Sequence, residues 1–147
     1  MTDVARGFDG MPGFGKAIAG QEHVQGTGMN ELPLEARALG VTVGDLRLWS
    51  LYVPNGRSLD DPHYAYKLQW LAALKADAAS WIAANPELPL ALTGDFNIAP
   101  TDEDNGDPTI IEGVSTHVSV PERDAFRAFA DAGLVDVVRP LVPTGFT

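Results

Sequence analysis

The sequence predicts an α/β domain in which strands and helices alternate along the chain around a largely buried sheet. Three observations support this prediction. Two apolar runs flank a Gly-Asp turn signal at residues 44–45, a long stretch with apolar residues at spacings of three and four follows, and a short apolar run comes directly after it. The predicted order is strand, strand, helix, strand, helix, strand.

The chain begins with a glycine-rich segment, residues 1–34, which shows neither helical nor strand periodicity. Glycines are scattered through it at positions 7, 10, 13, 15, 20, 26 and 28. We therefore predict a long loop over residues 1–34 and a folded domain over residues 35–147. Loops of this length are usually functional or belong to a larger structure.

A β-hairpin begins the predicted domain. Residues 36–43 and 46–53 are rich in apolar and β-branched side chains, and Gly44-Asp45 between them is typical of a tight turn. The second run is nearly continuous in apolar residues, which is typical of a strand that is buried on both faces. Pro54-Asn55-Gly56 ends this strand in a turn.

An amphipathic helix comes next. Asp60 or Asp61 is its predicted N-cap, and Pro62 lies in its first turn, where proline is tolerated. Asn85-Pro86 ends it. One apolar stripe runs along the helix and comprises Tyr64, Leu68, Leu71, Leu74, Ala78, Trp81 and Ile82.

The last third of the chain alternates apolar and polar segments. Residues 88–96 predict another buried strand, and residues 99–117 are polar and predict a loop with at most short structure. Ser119, with Glu122 three residues later, forms a capping box for a second helix that Gly133 ends. Residues 134–138 predict a last short strand.

The composition excludes several classes of protein. Ten basic and 20 acidic residues give a net charge of −10, which opposes a protein that holds nucleic acid by charge alone. The absence of cysteine excludes a disulfide framework, a thiolate zinc site and a cysteine nucleophile. Because neither a membrane span of about 18 apolar residues nor a leader pattern is present, we expect a cytoplasmic protein.

Two short segments carry the candidate functional side chains. Tyr52 lies at the end of the second predicted strand, and Asn55 follows in the turn. Asp95 and Asn97 are two residues apart at the carboxyl end of the next strand, and therefore lie on one face of it. Open α/β sheets place their sites at this edge. A core tyrosine and a capping aspartate are the structural alternatives.

These segments resemble the exodeoxyribonuclease III family of the exonuclease, endonuclease and phosphatase (DNase I-like) superfamily. The resemblance covers nearly all of residues 35–147 and rests on LYVPNG at 51–56, GDFNIAPTDED at 94–104, PER at 121–123 and GLVDVVR at 133–139. It implies part of a four-layer α-β-β-α sandwich, incomplete in this chain. It also implies a DNA-repair hydrolase, a 3′–5′ exonuclease and abasic-site endonuclease that uses Mg²⁺ or Mn²⁺.

The resemblance also implies roles for individual residues. Asp95 would orient or deprotonate the attacking water, and Asn97 would bind an oxygen of the scissile phosphate. Tyr52 would contact the same phosphate, and Asn55 would make a neighbouring phosphate contact. Asp95 and Asn97 are the implied metal-binding residues of this chain. The implied partner is double-stranded DNA with an abasic site or a 3′ end, bound by a monomer.

The chain departs from the family pattern at both ends. The family's main glutamate metal ligand would lie before Met1, and its Asp-His segment would lie after Thr147. Asn105-Gly106 stands where relatives tend to have an apolar and an aromatic residue. We therefore expect a central fragment that is inactive on its own. Two alternatives stay open, a superfamily phosphodiesterase for phosphates other than DNA and a noncatalytic truncated remnant.

Overall fold

The structure, a computed structural model, describes residues 3–14, 34–107 and 109–145. Within these ranges one sheet has the strand order β1-β2-β3-β4, with β1–β2 and β2–β3 antiparallel and β3–β4 parallel. Two short 3₁₀ turns, Asp102–Asp104 and Ala130–Ala132, lie among the loops. The elements are β1 (Asp3–Arg6), β2 (Ala38–Val43), β3 (Leu46–Tyr52), α1 (Pro62–Ala84), β4 (Leu90–Asp95) and α2 (Val120–Arg127).

The predicted hairpin is confirmed by β2 and β3. Val43 pairs with Leu46, so Gly44 and Asp45 form a two-residue turn, and Gly44 has a φ of 58°, which glycine adopts without steric cost. A second glycine, Gly40, makes room for packing, because a Cβ at that position would lie 2.8 Å from the Trp49 ring. The hairpin therefore needs glycine both at its turn and under its tryptophan.

Helix α1 begins and ends where the sequence predicts. The Asp61 carboxylate accepts a hydrogen bond from the backbone N–H of His63 at 2.8 Å, and Asn85 is the C-cap. The helix connects β3 to its parallel neighbour β4 and covers one face of the sheet. No helix among the described residues is long and apolar enough to cross a membrane.

The core lies between α1 and the sheet, and aromatic side chains fill much of it. The indoles of Trp49 and Trp81 stack with ring centroids 4.8 Å apart, while Phe8 meets Trp70 edge-on at 5.0 Å. Phe8 comes from the amino-terminal segment, so that segment contributes to the core. The buried apolar residues of this cluster are Phe8, Met11, Ala38, Trp49, Leu51, Val53, Tyr66, Trp70, Leu71, Leu74 and Phe129.

The prediction of a loop over residues 1–34 is wrong for Asp3–Arg6, which form the edge strand β1 beside β2. A strand of four residues is too short to show periodicity, and its pairing partner lies more than 30 residues further along the chain. Residues 1–2 and 15–33 of the glycine-rich segment lie outside the described residues, and the domain boundary at residues 34 and 35 stays a prediction.

The prediction that β3 is buried on both faces is also wrong. Trp49 and Leu51 face α1 and are buried, whereas Ser50 and Tyr52 on the opposite face are exposed. Strand β4 is likewise only half-buried or exposed. The reason is that α1 covers a single face, while the side chains of the second face, among the described residues, stay largely exposed. The exposed apolar side chains of that open face include Val4, Leu39, Val43 and Leu46.

The predicted last strand at residues 134–138 is not formed. Val135 and Val137 are exposed, and the Asp136 carboxylate accepts hydrogen bonds from the backbone N–H groups of Val138 and Arg139 at 2.9 and 3.0 Å. These local bonds stabilise a turn that competes with an extended strand. The preceding capping box of α2 is confirmed. The prediction that Gly133 ends this helix is wrong, because α2 ends at Arg127 and Gly133, with a φ of 89°, ends the separate 3₁₀ turn that follows.

We expect Leu74→Ala to lower the free energy of unfolding by about 2–5 kcal/mol, because Leu74 is fully buried beneath the sheet. The matched control is Leu39→Ala on the open face, where the side chain is 48% exposed and the expected loss is about 0.5 kcal/mol. Urea unfolding followed by circular dichroism measures both. Equal losses would contradict the assignment of the core to the α1 face.

Candidate functional site

The candidate site lies where β3 and β4 end together. Tyr52 and Asp95 are partners in the parallel register, and the backbone N–H of Val53 donates to the Asp95 carbonyl at 2.9 Å. Gly94 permits this close approach, since its φ is 122° and a Cβ there would lie 2.0 Å from the Leu51 carbonyl oxygen. The residues after both strands therefore meet at the carboxyl edge of the sheet, as predicted.

Asp95, Asn97 and Asn55 form one hydrogen-bonded cluster. The Asp95 carboxylate accepts from the backbone N–H of Asn97 at 2.8 Å, and the Asn97 side-chain amide donates to the Val53 carbonyl at 2.8 Å. The Asn55 amide donates to the Asn97 side-chain oxygen at 3.4 Å. Asn97 has a φ of 53°, in the left-handed region that asparagine tolerates better than most residues.

The loop that carries Asn55 is held from two sides. The Asn55 side-chain oxygen accepts from the backbone N–H of Arg57 at 2.7 Å, which closes a tight turn. Gly56 is buried against the segment before α2, because a Cβ on it would lie 2.4 Å from the Thr116 hydroxyl oxygen. Glycine at this position therefore lets the two loops pack together.

Tyr52 lies beside this cluster and makes different contacts. Its side chain is 52% exposed and leaves the open face of the sheet, the face on which its register partner Asp95 also lies. The Arg37 guanidinium lies 5.1 Å from the centre of the Tyr52 ring and donates to the Tyr52 carbonyl at 3.2 Å. The structure thus brings three of the four predicted residues into one cluster and places Tyr52 on the adjacent strand.

A buried ion pair lies behind the cluster. The side chains of Lys67 on α1 and Glu122 on α2 are both 0% exposed and are in direct contact. The Lys67 ammonium also donates to the Asn97 backbone carbonyl at 2.5 Å. Glu122 accepts from the hydroxyls of Thr116 and Ser119 at 2.8 and 2.6 Å.

Burial and hydrogen bonding act in opposite directions on the two ionisable groups. Burial lowers the pKa of Lys67 below its usual range, and the contact with Glu122 only partly opposes this effect. For Glu122, burial raises the pKa, but hydrogen bonds from Lys67, Ser119 and the His117 backbone together outweigh it and hold the pKa below its usual range. The carboxylate is therefore the ionised form that the fold stabilises.

His117 also contacts the backbone carbonyl of Asn97, which Lys67 contacts as well. Its Nδ1 lies 2.6 Å from the Asn97 backbone oxygen, and its own carbonyl accepts from the Ala99 N–H at 2.8 Å. An Nδ1–H tautomer donates in this geometry. The contact of His117 with the Asn97 carbonyl is a structural one.

Arginines hold the acidic loop that follows the cluster. Arg123 on α2 pairs with Glu112, pairs with Asp102 at 2.8 Å and donates to the Ala99 carbonyl at 3.0 Å. Arg139 pairs with Asp104. The loop forms one wall of a groove of about 310 Å³, whose polar lining residues include Asp95, Asn97, Asp104, Asp107 and His117.

The described residues do not form a complete metal site. Within residues 3–14, 34–107 and 109–145, no group of three or more His, Cys, Asp or Glu side chains converges to hold an ion. One Asp95 oxygen already accepts from Asn97, and the Asn97 side-chain oxygen faces Asn55. Mg²⁺ is usually held through carboxylates together with substrate phosphates. Asp95 alone offers one free carboxylate oxygen, which is too few ligands.

Lys67 is the site-supporting residue that the sequence analysis missed. The predicted apolar stripe of α1 contains hydrophobic residues alone. Lys67 lies on the same stripe, three residues after Tyr64 and four before Leu71. A lysine at such a position is almost never buried without a partner. This spacing was the available signal, although it does not identify Glu122 as the partner.

Comparison with known proteins gives relatives that the chain covers only in part. No family model matches the chain. An exodeoxyribonuclease of Bacillus subtilis (strain 168) is 29% identical over 143 residues, which are 95% of this chain and 53% of that protein.

Solved structures give the same result. A 3′-5′ exonuclease, NExo, from Neisseria meningitidis superposes with a TM-score of 0.75 at 32% identity, over 98% of this chain and 48% of that one. A Neisseria NExo variant described as a 3′ phosphatase bound to product DNA hairpin gives 0.75 at 31% identity, with the same coverage. An AP endonuclease from Archaeoglobus fulgidus gives 0.63 at 28% identity, over 74% of this chain and 41% of that one. The chain thus spans about half the length of these relatives and shares their DNase I-like fold over that half.

We expect the stability difference between the wild-type chain and Glu122→Gln to depend on pH. Because the folded state holds the pKa of Glu122 below the ordinary value of 4.5, its ionised form contributes stability above that pH and loses it as the pH falls further. The difference should be largest near neutral pH and shrink in acid. Urea unfolding between pH 7 and pH 3 measures it, with the exposed Glu87→Gln as the control. A difference that is constant with pH would contradict the buried ion pair.

Proposed function

We propose that this chain, which is similar in sequence and fold to half of several DNase I-like nucleases, belongs to the exonuclease, endonuclease and phosphatase superfamily and carries the phosphate-binding half of a DNA phosphodiesterase. The observation that carries the proposal is the cluster of Asp95, Asn97 and Asn55 at the carboxyl edge of the sheet. The proposed activity is that of a 3′–5′ exonuclease and abasic-site endonuclease in DNA repair.

The contacts of each side chain support a separate role. One Asp95 oxygen is engaged by the Asn97 N–H, which leaves the second oxygen to orient or deprotonate a water molecule. The Asn97 amide nitrogen carries two N–H groups and donates one to Val53, so the other can donate to a phosphate oxygen. Neutral donors of this kind stabilise the charge that develops on phosphate oxygens.

Asn55 and Tyr52 extend this surface toward a nucleic acid. Asn55 is exposed beside Asn97, and Tyr52 exposes its phenol one strand away. We assign Tyr52 to a contact with the scissile phosphate and Asn55 to a contact with a neighbouring phosphate. DNA is preferred over other phosphodiesters because one matched structure holds a product DNA hairpin and the Bacillus subtilis relative is an exodeoxyribonuclease.

A divalent cation is part of the proposal. DNase I-like nucleases generally depend on one, and a net charge of −10 makes a cation valuable for bringing DNA to the site. Mg²⁺ or Mn²⁺ is the proposed ion, with Asp95 as one ligand. Since the described residues do not complete the ligand set, the remaining ligands are proposed to come from outside the described residues.

We expect the purified chain to leave abasic duplex DNA uncut in the presence of Mg²⁺, because a single carboxylate and neutral amides bind the ion too weakly. Denaturing gel electrophoresis of end-labelled DNA measures cleavage, with buffer alone as the control. Cleavage that is abolished both by EDTA and by Asp95→Ala would show that the chain contains a complete site.

The role of Asp95 is tested by grafting this chain in place of the matched 48% of the Neisseria exonuclease. We expect the graft to release nucleotides from DNA 3′ ends, and Asp95→Asn to lower its kcat by about 100- to 1000-fold with little change in KM. Asp45→Asn, in the exposed turn of the hairpin, is the matched control. Near-normal turnover by Asp95→Asn would remove Asp95 from the mechanism, and a folded but inactive parent graft would contradict the proposed function.

A further inference from the structure

The backbone carbonyl of Asn97 has two contacts from outside its own loop. The Lys67 ammonium on α1 donates to it at 2.5 Å, and His117 Nδ1 lies 2.6 Å away. Asn97 is also held in the left-handed region, a conformation that non-glycine residues keep only where surrounding structure fixes it. The contacts of Lys67 and His117 with its backbone therefore act together with the side-chain bond to Val53 to set the orientation of Asn97.

The Lys67 ammonium has no alternative position. Its side chain is fully buried, and its second partner is the equally buried Glu122. Glu122 is fixed in turn by the Thr116 hydroxyl, by the Ser119 hydroxyl at 2.6 Å and by the Ser119 N–H at 3.2 Å. Because Glu122 lies near the start of α2, the position of that helix start determines the direction of the Lys67 ammonium.

A further bond ties the same two helices together. The Tyr64 hydroxyl on α1 lies 2.8 Å from the Ser119 hydroxyl, at the N-cap of α2. Helix α1, the start of α2 and the loop after β4 therefore meet at one point, where Asn97 and His117 line the groove.

We propose that Lys67 and Glu122 are positioning residues, which set the direction of the Asn97 side chain and the Asp95 carboxylate by holding the Asn97 carbonyl. Their importance for hydrolysis rests on the proposed function. Stability alone does not explain why the pair is an ion pair, since buried ion pairs can often be replaced by apolar residues at no cost. An apolar replacement would, however, leave the Asn97 carbonyl without its Lys67 donor.

The test removes both charges together, because a single Lys67 substitution would leave the Glu122 carboxylate buried and unpaired. The double variant Lys67→Met/Glu122→Gln is compared with the wild-type chain. Lys75→Met is the matched control, since Lys75 lies on the same helix, is partly exposed and, among the residues that the structure describes, forms a long ion pair of 3.9 Å with Asp131. Circular dichroism establishes that each variant is folded.

The readout is the NMR signal of Asn97, which needs no catalytic turnover. We expect the backbone and side-chain amide signals of Asn97 to shift in the double variant. Their hydrogen exchange should become about tenfold faster, a factor that corresponds to the loss of one hydrogen bond. In Lys75→Met, the Asn97 amide signals and their exchange rates should match those of the wild-type chain. Glu122→Gln alone should give a smaller change in the same direction.

Three outcomes overturn the proposal. Unchanged Asn97 signals in the double variant would show that the ion pair does not position this residue. Equal changes in Lys75→Met would show a general effect of charge loss on α1. An unfolded double variant would show that the pair is needed for the fold itself. Absence of DNA hydrolysis would refute the proposed function only, since the Asn97 signals are measured without it.

Discussion

Two opposite charges, removed from water where the two helices meet, determine the arrangement of the loops in this molecule. Lys67 and Glu122 each need a partner once they are buried, and the observed placement of α1 and α2 provides it. The same requirement recruits Thr116 and Ser119 from the segment before α2. Polar groups that must be satisfied in the interior thus fix a loop region that apolar packing alone would leave less uniquely defined.

The uncovered face of the sheet and the incomplete set of metal ligands are connected, because Asp95 lies at the rim of that face. Helix α1 covers one face, and the described part of the chain leaves the other face without a cover. Tyr52 and Asp95 lie at the rim of that uncovered face. A segment that packed there would also approach the free Asp95 oxygen, so covering the face and completing the site are linked requirements.

Local signals explain what the sequence could predict. The Gly44 turn, the Asp61 and Ser119 caps and the spacing of Asp95 and Asn97 depend on residues close together in the chain, and the structure has each of them. Features that depend on distant residues were missed. Strand β1 forms only by pairing with β2, and the burial of Lys67 depends on its ion pair with Glu122, 55 residues away. Local periodicity places Lys67 on the apolar stripe, but it identifies neither Glu122 as the partner of Lys67 nor β2 as the partner of β1.

The three tryptophans are concentrated in one part of the molecule, so intrinsic fluorescence is sensitive to that part and much less to the rest. Trp49 and Trp70 are buried between α1 and the sheet, and Trp81, the last of the three in the sequence, stacks on Trp49. Phe96, Phe126 and Phe129 are the aromatic residues that pack near the other end of the sheet. Intrinsic tryptophan emission therefore reports the docking of α1 on the hairpin, and is a poor reporter of rearrangements in the loops around Asn97.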